Sequence, residues 1–249
     1  MSRTSRQQLH VQRLEDRTVP ATVFTERAGG DGYARVPNER NGEPGVAMTE
    51  FQTNEVASVS KPITTVALLR LFQDQIGNAA DYPQALRDKL DQPMVDFLPS
   101  DWWSFDPTVP NITIGHLLRH ESGFRTYALG YDAVRDVVQA GTGEPGDQSH
   151  PGPGVASYST TNFSLLREMI PYLWGEVDRD ILEGQASPTG MPQYLQDAMA
   201  ELYPATATAD LTPAQLSAGL YNYYVRTRVF EPAGVPTPTP SRPAPPPTR

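Results

Sequence analysis

Apolar residues recur at helical spacing over 63–72, and this stretch constrains the fold more than any other part of the chain. Gly77 and Asn78 follow it and are typical of the end of a helix. We therefore predict a helix near 59–76. An apolar helix face must be covered by other elements, so the rest of the chain decides the fold class.

The other apolar patterns are also helical. We predict helices near 112–120, 162–174 and 213–230. The helix at 162–174 is expected to be bent or broken at Pro171, because proline removes a backbone N–H donor. A Thr-Pro pair precedes the last helix and is typical of a capped helix start. The sequence thus predicts a mainly helical chain.

Few segments indicate strands. Residues 27–46 are rich in Gly, Pro, Asn and Asp, so we interpret them as loop, with at most a short strand near 22–25. Residues 1–22 are polar and aperiodic and are expected to be disordered. The proline-rich tail at 236–249 is expected to be extended and disordered. These boundaries leave residues 23–235 as one domain.

Composition excludes several classes of function. The net charge of -9 and the lack of a basic stripe argue against nucleic acid as a partner. The absence of cysteine excludes disulfides, thiolate metal sites and a cysteine nucleophile. No stretch is long and apolar enough to span a membrane, and no clear signal peptide precedes the domain.

Two histidines have a spacing that could bind a metal. His116 and His120 are four residues apart on the predicted helix near 112–120, but no third ligand is evident. We therefore expect no metal site and no other cofactor.

A serine and a lysine stand three residues apart where the first predicted helix begins. At this spacing Ser58 and Lys61 share one helix face, with Cβ atoms about 5–6 Å apart. A serine becomes a good nucleophile when a base takes its proton, and a lysine can do so when burial or the helix dipole lowers its pKa. Free N–H groups at the helix N-terminus would supply half of an oxyanion hole. The alternative is an N-cap serine beside a solvated lysine.

Five ordered segments, taken together, resemble the serine β-lactamase and penicillin-binding-protein-like family, in its class C-type β-lactamase-related branch. They are VASVSKPITTVALLRL (56–71), QPMVDFLP (92–99), ITIGHLLRHESGF (112–124), YSTTNFSLLREMI (158–170) and YVRTRVFEPAGV (224–235). The HESG stretch at 120–123 is interpreted as a structural turn that closes a helix.

The resemblance implies roles for individual residues. It makes Ser58 the acylated nucleophile and Lys61 its proton-accepting partner. Tyr158 falls at the family's Tyr-x-Asn motif, where the tyrosine oxygen relays protons; without its flanking residues it would be interpreted as a core tyrosine. Thr160 occupies the asparagine position as a substrate-binding residue but lacks the amide. Asn162 would need a different backbone path to replace that amide.

The third motif of the family, Lys-Thr-Gly or His-Thr-Gly, is absent. No lysine or histidine follows Tyr158, and SPTG at 187–190 has proline at the key position. The resemblance implies an α+β, β-lactamase/transpeptidase-like fold, in which a helical lobe packs on an antiparallel sheet. We expect mostly the helical lobe with an incomplete sheet, in a domain truncated before the third motif.

The resemblance implies a serine hydrolase that acts through an acyl-serine on β-lactam, D-alanyl peptide or ester bonds, impaired by truncation. The alternative is a non-catalytic relic or binding module of the same fold. A fragment completed by a sheet-bearing partner chain is a third interpretation.

The resemblance also implies partners and a location. The expected partner is a small-molecule or peptidoglycan-like substrate, outside the cell or in the periplasm. The apolar surface that a missing sheet would leave exposed predicts association with other molecules.

Overall fold

A computed structural model describes residues 33–35, 46–47, 57–102, 104–124, 127–142 and 154–235. The predicted disordered segments at 1–22 and 236–249 lie outside the described residues, as does the strand predicted near 22–25. Among the described residues, no helix has the length and apolar character needed to cross a membrane.

The chain divides into two units, Met1–Glu55 and Val56–Arg249. Within the first, strand β1 (Tyr33–Arg35) pairs antiparallel with strand β2 (Val46–Ala47). The prediction that residues 27–46 form only loop was therefore wrong, because backbone pairing outweighs the local abundance of turn-forming residues. The antiparallel sheet that the resemblance implies stays a prediction.

In the described part of the second unit, the secondary-structure elements are helices, apart from an isolated β-bridge between Pro93 and Thr113. Its α-helices are α1 (Ser60–Ile76), α2 (Tyr82–Leu90), α3 (Ile114–Leu118), α4 (Tyr131–Ala140), α5 (Thr160–Trp174), α6 (Arg179–Leu182), α7 (Gln193–Leu202) and α8 (Pro213–Val225). Short 3-10 helices lie at Ala57–Val59, Met94–Phe97, Val109–Asn111, Pro188–Gly190 and Thr208–Asp210, and a π-helix lies at Arg226–Phe230.

Helix α1 confirms the helix predicted near 59–76. It follows the 3-10 turn Ala57–Val59, and its N-cap is Val59. It ends at Gly77, which adopts a positive φ of 58° and donates its N–H to the Gln73 carbonyl at 2.9 Å. Glycine tolerates this conformation without the steric cost of a Cβ atom.

Helix α5 passes through Pro171 without a break, so the predicted break is wrong, whereas the predicted bend stays a prediction. Pro171 is buried, and most of the residues of the helix are buried with it. The stabilisation from this packing outweighs the one hydrogen bond that proline removes.

Helix α8 connects two apolar clusters. Leu216 and Leu220 belong to a cluster with helices α6 and α7, whereas Tyr224 and Val225 belong to the main core. The main core contains buried residues of α1, α3, α4 and α5. The helix predicted near 213–230 is confirmed as α8 followed by the π-helix.

One face of α1 carries exposed apolar side chains. Val66 and Leu69 lie there, and the N-cap residue Val59, which is 65% exposed, extends this face at its N-terminal end. Their spacing is that of a single helix face, whereas Ala67 and Leu68 point into the core. Association through such a surface stays a prediction.

Candidate active site

The turn before α1 presents the predicted nucleophile. Ser58 lies in the 3-10 helix and is exposed, and the ammonium of Lys61 donates a hydrogen bond to its Oγ atom at 3.2 Å. The N-cap of α1 is Val59, which makes no side-chain cap hydrogen bond. The alternative of an N-cap serine beside a solvated lysine is therefore wrong.

Tyr158 completes the cluster from a part of the chain 100 residues away. Its hydroxyl lies 2.8 Å from the Ser58 Oγ atom. The Lys61 Nζ atom lies 5.2 Å from the centre of the tyrosine ring. The side chain is 56% exposed, so it is not a core tyrosine. The structure thus brings together the three residues that the sequence singled out for chemistry.

The pKa of the Tyr158 hydroxyl is lowered from its ordinary value. The hydrogen bond from Lys61 is the largest cause, followed by the hydrogen bond with Ser58. Both stabilise the phenolate, because donors and a positive charge favour the ionised oxygen. A phenolate that contacts a serine hydroxyl can accept the serine proton.

Thr160 and Asn162 have different environments at the start of α5. Thr160 is the first residue of α5, and its side-chain hydrogen bond also lowers the pKa of Tyr158. Asn162 is fully buried, and its Oδ1 atom accepts a hydrogen bond from the Ser122 hydroxyl at 2.6 Å. Asn162 therefore does not take the place of the missing amide at 160.

An open cavity of about 530 Å³ surrounds the cluster. Its remaining lining residues are Pro62, Thr65, Val66, His120 and Phe163. Sequence reasoning missed these five. The signal on α1 was available, since Pro62, Thr65 and Val66 follow Ser58 at helical spacing.

His120 was interpreted as part of a structural turn, yet it lines the cavity. Burial lowers the pKa of its imidazole, and the nearby Lys61 charge lowers it further. A neutral ring can accept a hydrogen bond, and its Nδ1 atom accepts one from the Ser159 N–H at 3.1 Å.

The two histidines are not a pair on one helix, which corrects the prediction that placed both there. Helix α3 ends at Leu118, and His120 has a left-handed φ of 60°. His116 instead accepts the Thr113 N–H on its Nδ1 atom at 3.1 Å and so caps the helix start. The described residues contain no cluster of three or more potential metal ligands.

Comparisons with known proteins give the family. The family model described as Beta-lactamase matches residues 14–201. Esterase EstB from Burkholderia gladioli is 34% identical over 120 aligned residues, which cover 46% of this chain and 27% of that esterase, about a quarter of its length. No solved structure matches the chain. The family match spans most of the sequence and confirms the resemblance: the chain belongs to the β-lactamase family.

Proposed function

We propose that the protein hydrolyses uncharged carboxylic esters through an acyl intermediate on Ser58. The observation that carries this proposal is the contact of the Ser58 Oγ atom with both the Tyr158 hydroxyl, at 2.8 Å, and the Lys61 ammonium, at 3.2 Å. Membership of the β-lactamase family and the esterase relative support a hydrolase.

In the acylation step, the Tyr158 phenolate takes the proton of Ser58 as the serine oxygen bonds to the ester carbonyl carbon. The tetrahedral intermediate then collapses and its bond to the alcohol oxygen breaks. Tyr158 returns the proton to the departing alcohol. Lys61 keeps its proton in this scheme and stabilises the phenolate, whereas the sequence assigned the base to Lys61.

In the deacylation step, Tyr158 takes a proton from water as the water oxygen attacks the acyl carbon. The bond between that carbon and the Ser58 oxygen breaks, and the proton passes back to Ser58. The products are a carboxylic acid and the restored serine.

The start of α1 supports stabilisation of the oxyanion. Ser58 lies in the 3-10 turn directly before α1. The positive end of the helix dipole favours negative charge at this position. An oxyanion formed on a carbonyl bound at Ser58 would lie beside this helix end.

The cavity lining supports an uncharged, apolar acyl group. Pro62, Val66 and Phe163 give it apolar walls. Among the described residues that line the cavity, Lys61 is the one cationic side chain, and it is already hydrogen-bonded to Ser58. β-Lactams and D-alanyl peptides carry a carboxylate, which needs a positive partner when it leaves water. Esters without a charge meet no such requirement.

A matched pair of substrates tests the proposed ester class. We expect p-nitrophenyl butyrate to be hydrolysed with a kcat/KM at least about tenfold above that of mono-p-nitrophenyl succinate, since burying one unpaired charge costs about 1.4 kcal/mol or more. The two esters have acyl chains of four carbons and differ in one carboxylate. Equal rates, or faster turnover of the succinate or a chromogenic β-lactam, would contradict the proposed substrate class.

A binding module without catalysis is the second candidate function. It is favoured by the threonine at 160 and by the burial of Asn162, since neither supplies an amide to position a substrate in the cavity. In that case the protein would bind an ester or a β-lactam reversibly, and no covalent adduct would form. Detection of an acyl-enzyme excludes this candidate.

Location and partners are also proposals. We infer that the protein acts outside the cytoplasm on a small-molecule substrate, as family membership suggests. A peptidoglycan-like substrate is the alternative partner, and it is less favoured because it would bring a carboxylate into the cavity. Its exposed α1 face, with Val59, Val66 and Leu69, supports association with other molecules.

Replacing Lys61 with methionine is expected to shift the pH dependence of hydrolysis. Lys61 is the main cause of the lowered pKa of Tyr158, so its removal raises that pKa towards the ordinary value of 10.0. The phenolate is the active base, so the rate rises as pH rises through this pKa. The rising limb of kcat/KM against pH should therefore move to higher pH.

The control is Lys89→Met, which removes the other lysine of the chain, on α2. It changes the net charge equally and should leave the rising limb in place. The same shift in both variants, or no shift in Lys61→Met, would contradict the role assigned to Lys61.

A further inference from the structure

His120 holds an unusual backbone conformation beside the cavity. In the described part of the chain it is the one non-glycine residue with a positive φ, at 60°. Such conformations are uncommon for residues with a Cβ atom and tend to occur where function requires them. The contacts made by His120 indicate what this conformation provides.

The left-handed turn directs two acceptors of His120 to the same segment. Its carbonyl oxygen accepts the N–H of Ser157 at 2.8 Å, and its Nδ1 atom accepts the N–H of Ser159 at 3.1 Å. These two residues flank Tyr158 in the chain. The ring centres of His120 and Tyr158 also lie 4.8 Å apart. One residue thus contacts the backbone on both sides of Tyr158 and its ring.

His120 is itself supported from behind. The ring of Phe163 lies 5.3 Å from the imidazole, and the Asn162 Nδ2 atom lies 3.4 Å from Nδ1. Asn162 is fixed by the buried Ser122 hydroxyl. His120 is therefore held by Phe163, which is partly buried, and by Asn162, which is fully buried.

We propose that His120 is a positioning residue that holds the Tyr158 hydroxyl at the Ser58 Oγ atom. The neutral imidazole does this through Nδ1, so its proton resides on Nε2. Burial and the charge of Lys61 lower the pKa of His120 and favour the neutral form. The titratable groups that face the ring are Lys61 from α1 and Tyr158 itself. The consequences for rate rest on the proposed function, whereas the position of Tyr158 can be tested without it.

Two substitutions that tolerate the positive φ separate the effect of the imidazole ring from that of the left-handed turn. His120→Gly keeps the turn but removes both the ring and the Nδ1 acceptor, whereas His120→Asn keeps an acceptor oxygen. We expect kcat for p-nitrophenyl butyrate to fall about 100-fold in His120→Gly, since misplacing a catalytic group has effects of this size. KM should change less than kcat, because the contacts of His120 shown by the structure are with Tyr158 and its neighbours Ser157 and Ser159. His120→Asn should recover about tenfold of the loss, as the hydrogen bond to Ser159 is restored.

His116→Asn is the matched control, since His116 caps α3 and does not line the cavity. It should keep the wild-type kcat. A loss of kcat in His116→Asn as large as in His120→Gly would overturn the proposal, because the effect would not be specific to His120.

The pH profile provides a readout that a purely structural role would not move. Protonation of His120 removes the Nδ1 acceptor, so the plot of log kcat against pH should steepen from a slope of about one to about two below the pKa of His120. In His120→Asn the slope should stay near one. A second proton dependence that persists in His120→Asn would overturn the proposal.

Titration of the Tyr158 phenol tests the proposed positioning role of His120 without a measurement of hydrolysis. The ultraviolet absorbance change on ionisation of Tyr158 is obtained by subtracting the titration of the Tyr158→Phe variant from that of the protein with Tyr158. In His120→Gly the pKa of Tyr158 should return towards 10.0, because the hydroxyl leaves Lys61 and Ser58. An unchanged titration in folded His120→Gly would overturn the proposal. If the wild-type protein hydrolyses no ester, the proposed function fails, yet this titration still decides the role of His120.

Discussion

Ester hydrolysis by the Ser58→Ala variant is expected to fall by about 10⁴-fold or more, to the background rate of the solution. The alanine lacks the oxygen that forms the acyl bond, and no other hydroxyl lies between the Tyr158 hydroxyl and the Lys61 ammonium among the described contacts. The loss should appear in kcat, measured by release of p-nitrophenol. The substitution removes one exposed atom, so stability should change little.

The matched control is Ser60→Ala, which removes the neighbouring serine, two residues along the chain. Ser60 is the first residue of α1 and does not line the cavity. Its replacement should leave kcat within about threefold of the wild type, an effect near 0.6 kcal/mol. Hydrolysis that survives in Ser58→Ala and is lost in Ser60→Ala would place the nucleophile elsewhere.

Tyr158→Phe is expected to lower kcat by about 10²- to 10⁴-fold, the range that a positioned acid or base contributes. The phenyl ring keeps the contacts with His120 and Lys61 but removes the oxygen that lies 2.8 Å from the Ser58 Oγ atom. The rising limb of the pH profile should disappear with the oxygen. Acylation and deacylation should both slow, because Tyr158 transfers the proton in each step.

Tyr127→Phe is the control for this substitution, since Tyr127 is 72% exposed and does not line the cavity. It should keep both the rate and the pH profile. A Tyr158→Phe variant that retains the rising limb would show that another group accepts the serine proton, and Lys61 would then be the first candidate.

The long helices could be predicted from sequence because their apolar spacing is regular. The boundaries of α1 and of α8 with its π-helix agree with the predicted ranges to within one residue at each end. Helices α4 and α7 were not predicted, because they carry only two and three buried residues. Pro171 misled the prediction for α5, since local backbone preference says nothing about burial of the surrounding helix.

Site residues could be predicted where they lie close together in sequence on one helix. They could not be predicted where their contact depends on the conformation of a distant backbone segment. Ser58 and Lys61 are neighbours on one helix face, so their sequence separation already implies contact. The approach of Tyr158 from 100 residues away came from the family resemblance and not from spacing. The role proposed for His120 depends on a left-handed backbone that residues other than glycine uncommonly adopt, so no pattern in the sequence indicated it.

Acylation of Ser58 is tested most directly by measuring the intact mass of the protein after an acid quench. We expect wild-type protein mixed with p-nitrophenyl butyrate to gain the mass of one butyryl group, and peptide mapping to locate that group on Ser58. Ser58→Ala should gain none. A wild-type protein that is folded but never gains mass, or that carries the acyl group on another residue, would contradict the account.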